Sequence, residues 1–126
     1  MADNLTDVAE NGLLDYLFGG TFSITTPIKV ALSTSAGSDT TAGTEVTGGS
    51  YARQTITVAA ASGGSVSNSA TISFTNMPAC TVTGIEIYDS NGTPKRLAYG
   101  TLTTSKTVAS GDTLQFAASS ISLSLA

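Results

Sequence analysis

Hydrophobic periodicity changes once along this chain, and that change restricts the kind of fold open to it. Up to Gly20 the apolar residues recur at helical spacing; from Phe22 onward they recur at every second position, in short segments separated by Gly, Ser, Thr, Asn and Asp. Asn4 followed by Asp7 resembles a capping box with Asp in the usual Glu place, and Gly19-Gly20 supplies a C-terminal stop. The spacing predicts one helix over residues 5–18 and strands thereafter.

The predicted helix does not end as it begins. On a 3.6-residue wheel Leu5, Ala9, Gly12, Leu13 and Tyr16 share a broad face, with Val8 and Leu17 at its margins and Asp7, Glu10, Asn11 and Asp15 opposite. Leu14 and Phe18 fall on the stripe of Asp7 and Asn11, so the last turn is apolar nearly all the way round. One side can pack on the helix's own sheet; the other needs cover. That cover is either a loop of the same domain or another subunit, and Leu14 and Phe18 are therefore candidate interface residues.

Alternation begins with Phe22 and Ile24 and continues after Pro27 in Ile28, Val30 and Leu32. Residues 33–50 carry Gly, Ser, Thr and Asp with almost no apolar side chains, which predicts a long exposed loop or arm, mobile in the free protein. Gln54, Ile56 and Val58 resume the pattern, and Val66, Asn68, Ala70, Ile72 and Phe74 read as one strand face. Asn76-Met77-Pro78 interrupts it. Cys80 and Val82 lie on one phase and Ile85 and Ile87 on the other, so a bulge at Gly84 is expected. Asp89-Ser90-Asn91-Gly92 reverses the chain into Leu97 and Tyr99; Leu114, Phe116, Ile121, Leu123 and Leu125 close it. The expected fold is all-β: an antiparallel β-sandwich or jelly roll of about eight strands, with the helix of residues 1–20 laid on or docking from a single domain of residues 21–126.

Composition narrows the chemistry. With no His, no Trp and one Cys among 126 residues, the usual general base, metal ligand and activated nucleophile are scarce. Charged residues make up 11% of the chain and Ser plus Thr about three residues in ten, so much of its polarity comes from hydroxyls. The net charge is −4, and Lys29, Arg53, Lys95, Arg96 and Lys106 are scattered apart from one adjacent pair, which gives no positive field for nucleic acid. The N-terminal residues lack the pattern of a secretory signal, and no apolar run is long enough to span a bilayer. Cys80 has no partner for a disulfide and reads as a small buried strand residue.

No set of residues makes a convincing catalytic, metal or cofactor site. Glu86 and Asp89 are placed for structural or solvated roles rather than as a paired acid and base. Asp39 and Glu45 lack the dense spacing of a calcium loop, and the Gly-Gly-Ser segments lack the Lys and helix of a phosphate loop. Asp112 reads as a turn residue accepting backbone N–H bonds. Lys95-Arg96 reads as a solvated hairpin end. Tyr51 and Arg53, just after the long loop, combine two residue types enriched at interface hot spots and join the candidate interface; the alternative is Tyr51 packed inward and Arg53 solvated.

Three stretches, Leu13-Leu14-Asp15-Tyr16-Leu17-Phe18-Gly19-Gly20-Thr21, Thr44-Glu45-Val46-Thr47-Gly48-Gly49-Ser50-Tyr51-Ala52-Arg53-Gln54 and Val108-Ala109-Ser110-Gly111-Asp112-Thr113-Leu114-Gln115-Phe116, give the chain its resemblance to a family of small tailed-bacteriophage structural proteins. Members are often labelled tail fibre proteins, and similar small β-sandwich proteins serve as cement or decoration proteins on phage heads. The resemblance implies a virion component, made in the host cytoplasm, that works by contacts and transfers no catalytic residue. The leading expectation is a homotrimeric decoration protein that binds the major capsid protein on the outer head surface and stabilises the shell, with no membrane or nucleic-acid partner. The alternatives are a tail or tail-fibre-associated structural protein and a carbohydrate-binding β-sandwich module, the latter weakened by the lack of Trp.

Overall fold

The first short strand, β1 (Asn4–Leu5), moves the start of the helix from where the capping pattern at Asn4 put it. In the computed structural model, which describes residues 4–125, β1 pairs antiparallel with Tyr99 and Ala98. The cap is Thr6: its Oγ1 accepts the Ala9 N–H at 3.3 Å and donates to the Arg96 carbonyl at 2.6 Å, anchoring the helix start to the sheet. The helix α1 then spans Asp7–Leu17, with Asp7 and Glu10 in the first turn, where the N-terminal dipole favours negative charge.

Eight further strands follow: β2 (Lys29–Ser33), β3 (Gln54–Thr55), β4 (Ser65–Ser67), β5 (Ile72–Phe74), β6 (Cys80–Tyr88), β7 (Arg96–Val108), β8 (Leu114–Phe116) and β9 (Ser122–Ser124). The main sheet runs β1-β7-β6-β2-β3, and β4-β9 and β5-β8 form two separate ribbons; every pairing is antiparallel. This is an all-β layered fold with one N-terminal helix. A main sheet with two ribbons is consistent with the expected sandwich layout, and the run of residues 66–74 is divided at Asn68 into two strands with different partners.

The core lies between the main sheet and the ribbons. Val30 and Leu32 from β2, Val82 and Ile85 from β6, Ile72 and Phe74 from β5 and Leu114 from β8 pack together with Val46, Met77, Val108 and Ile121. Phe74 stacks on Tyr51 at 6.1 Å between centroids and meets the edge of Phe116 at 6.2 Å. The interruption at Asn76-Met77-Pro78 is thus more than a turn, since Met77 is a fully buried plug.

The phase change around Gly84 is present. Val82 pairs with Lys106 and Gly84 with Thr101, so Leu102 to Ser105 swell out of β7, and the inward phase passes from Val82 to Ile85. Only glycine fits at 84, because a Cβ there would lie 2.7 Å from the Gly100 carbonyl oxygen. Cys80 is half-buried against the core, and burial pushes its thiol pKa up.

One expectation fails and another is refined. Phe22 and Ile24 form no strand; the Phe22 ring lies against the helix at Gly12, where a Cβ would collide with it. Residues 33–50 form the long, mostly exposed loop that the sequence predicts, but the loop is tied down rather than a free arm. Val46 is buried in the core, its N–H bonds the Leu32 carbonyl at 2.9 Å, and Ser33 bridges to Glu45, so the segment folds back over the edge of the sheet. Val46 is the one apolar side chain of this stretch that reaches the core.

Candidate interface

Two surfaces gather the side chains that the sequence singles out. The first is the C-terminal tip of α1. Its end is fixed by a Schellman turn: the Gly20 N–H bonds the Asp15 carbonyl at 2.6 Å and the Gly19 N–H the Tyr16 carbonyl at 3.3 Å, with Gly19 at φ +90°. Only Ala9 and Gly12 of the helix are fully buried, because the last turn overhangs the body that the earlier turns pack on. Leu14, Tyr16, Leu17 and Phe18 are therefore 55%, 63%, 74% and 86% exposed. Among the described residues nothing covers either side of the last turn. Tyr16 and Leu17 join Leu14 and Phe18 there; Tyr16 shares the buried stripe on the wheel, and only the overhang exposes it.

Beside the tip lies a groove of about 380 Å³ between the main sheet and the β4-β9 ribbon. Leu13, Phe22, Ile24, Val58, Val66 and Leu123 are among its walls, and its lining is almost wholly apolar. Ile24 and Val58 are half exposed at its surface. No periodicity in the sequence marks this groove, since its walls come from seven separate segments that meet only in the fold.

The second surface is a charged network between the 33–50 segment and the sheet. Arg53 makes a two-pronged contact with Glu45, Nε to Oε2 at 3.0 Å and Nη2 to Oε1 at 2.8 Å, and its guanidinium lies 3.8 Å from the Tyr88 ring centroid. The Tyr51 hydroxyl donates to Glu45 Oε2 at 2.7 Å and accepts the Leu32 N–H at 2.9 Å. Burial, joined by the Glu45 bond, raises the Tyr51 pKa beyond its ordinary value, so this phenol stays protonated. Burial also raises the Glu45 pKa, but the Arg53 fork and the Tyr51 hydroxyl outweigh it and hold the carboxyl below its usual range. Tyr51 is packed inward and Arg53 is engaged within the chain; of the four candidate residues, Leu14 and Phe18 are the ones left uncommitted.

Arg96 is no solvated hairpin end. It pairs with the buried Glu86 at 3.0 Å and bonds the Ser38 carbonyl, while Glu86 also accepts the Gly43 N–H at 3.0 Å. Gly37 lies so close to this carboxylate that a Cβ would strike it. Tyr99 bonds Asp39, which completes the pinning of the segment. Asp89 is likewise structural, accepting N–H bonds from Lys95 at 2.7 Å, Thr25 at 3.1 Å and Asn91 at 3.3 Å. Asp112 accepts the Ala109 N–H at 2.8 Å, the turn role its sequence context predicts. Among the described residues no three His, Cys, Asp or Glu side chains gather as a metal site, and no helix is long and apolar enough to cross a membrane.

Fold and surface together describe a β-rich protein whose charged side chains largely hold its own loops and whose exposed helix tip is apolar. The chain belongs to the family described as podophage GP4 fiber I protein gp80, whose model matches residues 4–124, and is thus a phage structural protein. No curated protein matches it.

Proposed function

We propose that the chain is a structural subunit of a podophage fibre, a virion component that assembles as a homotrimer and acts through buried contact area without catalysis. The observation that carries this reading is the fibre-family match across residues 4–124. The overhanging helix tip supports it by supplying an apolar contact element left exposed among the described residues. The capsid-surface reading, with the major capsid protein as partner, rests on a general likeness to small phage β-sandwich proteins, and the fibre description favours the tail over it.

The test is co-sedimentation of purified protein with tail preparations and, separately, with expanded heads, both from phage lacking it. A Leu14→Asp/Phe18→Asp variant is run alongside. Saturable binding to tails that the variant loses is expected. Binding to heads alone would return the chain to the decoration reading. Binding to neither, with retention on host surface polysaccharide, would make it a carbohydrate-binding module instead.

A further inference from the structure

We infer that the apolar groove is the socket for the helix tip of a second copy of this chain. The walls decide what kind of occupant fits. A charged or polar group entering between Leu13, Phe22, Val58 and Leu123 would lose its water and find almost no hydrogen-bonding partner, so the occupant is apolar. A volume of about 380 Å³ holds on the order of ten waters, and these would meet almost no polar atom on the walls.

The same chain displays the matching plug. Among the described residues Leu17 and Phe18 are the most exposed large apolar side chains. Asp15 is the only charged residue between Leu13 and Ile28, so an interface centred here buries few charges. The tip does not fill its own groove: Leu13 lines it, whereas Phe18 stands beyond its rim, held there by the turn at Gly19-Gly20. Filling the socket with this plug therefore takes another molecule.

Leu14, Tyr16, Leu17 and Phe18 with Ile24 and Val58 expose on the order of 800 Å², so each copy of a closed ring covers about that much apolar surface over its two contacts, more than the largest apolar patch a typical monomer leaves in water. Tip and socket adjoin, so each copy gives its tip and receives one near a common axis, and the assembly closes without leaving either element exposed.

Sedimentation equilibrium of the purified chain tests this inference independently of where in the virion the protein resides. The wild type is expected to be oligomeric, and Phe18→Asp (tip) and Val58→Asp (socket) are each expected to be monomeric with unchanged far-ultraviolet circular dichroism. An equal mixture of the two variants retains one intact tip and one intact socket, and is expected to form a dimer that neither variant forms alone. A monomeric wild type, an oligomer that survives both substitutions, or a mixture that stays monomeric would overturn the inference. Should either variant fail to fold, oxidation of mixed Phe18→Cys and Val58→Cys chains in a Cys80→Ser background decides it. An 18–58 cross-link between copies is expected, and its absence overturns the socket.

Discussion

Asn68 shows how much one buried polar side chain can organise. It is fully buried; its amide nitrogen donates to the Ala70 and Ala117 carbonyls, each at 2.9 Å, and its Oδ1 accepts the Ile121 N–H at 2.9 Å. It thereby ties the β4–β5 connection to the chain between β8 and β9. Asn68→Leu keeps the volume but orphans those groups, so urea denaturation is expected to show a loss of about 3 kcal/mol. Gly12 makes the opposite point about propensity. Gly12→Ala would help an isolated helix by about 1 kcal/mol, yet the new methyl collides with the Phe22 ring. The melting temperature is expected to fall, with a net cost of about 1–2 kcal/mol once overpacking is set against propensity.

At the level of elements, the 33–50 segment is held by a few identifiable contacts. The Glu86–Arg96 pair lies under it, with side chains only 2% and 11% exposed, and both partners also bond its backbone at Gly43 and Ser38. Removing one charge leaves the other buried and alone. Arg96→Met is therefore expected to cost about 3–5 kcal/mol and to speed amide exchange in residues 37–45 well beyond that in β6. A Glu86→Gln/Arg96→Met double variant should recover part of that stability, because no unpaired charge remains. If Arg96→Met leaves exchange in 37–45 unchanged, the pair does not hold the segment.

For the molecule as a whole, two carboxyl groups link stability to acid. Burial pulls the Asp89 pKa up, but backbone N–H bonds from Lys95, Thr25 and Asn91, together with the Lys95 ammonium, hold it below the ordinary value; Glu45 is held low by Arg53 and Tyr51. A carboxyl depressed in the folded state contributes stability above its unfolded pKa of about 4, and that contribution is lost as pH falls through the folded value. The urea midpoint is expected to be level near neutrality and to drop below about pH 4. Asp89→Asn should flatten part of that drop; an unchanged pH dependence in this variant would rule out Asp89 as a source.

The sequence by itself determined the all-β class, the single helix with its Gly19-Gly20 stop, the phase change near Gly84 and the apolar last turn, because each follows from periodicity or turn chemistry within a few residues. The helix start was misplaced because Thr6 is chosen as cap by a strand ninety positions away, through its bond to the Arg96 carbonyl. Tyr51 and Arg53 look like free hot-spot residues in the sequence and are spent inside the molecule on Glu45. Tertiary structure alone decided that Arg96 pairs with the buried Glu86, that Asn68 divides a strand, and that Phe22, Ile24 and Val58 share a groove with the helix. Each of these depends on groups distant in sequence meeting in a water-poor place, where pairing and packing energies outweigh the local preferences that a sequence can display.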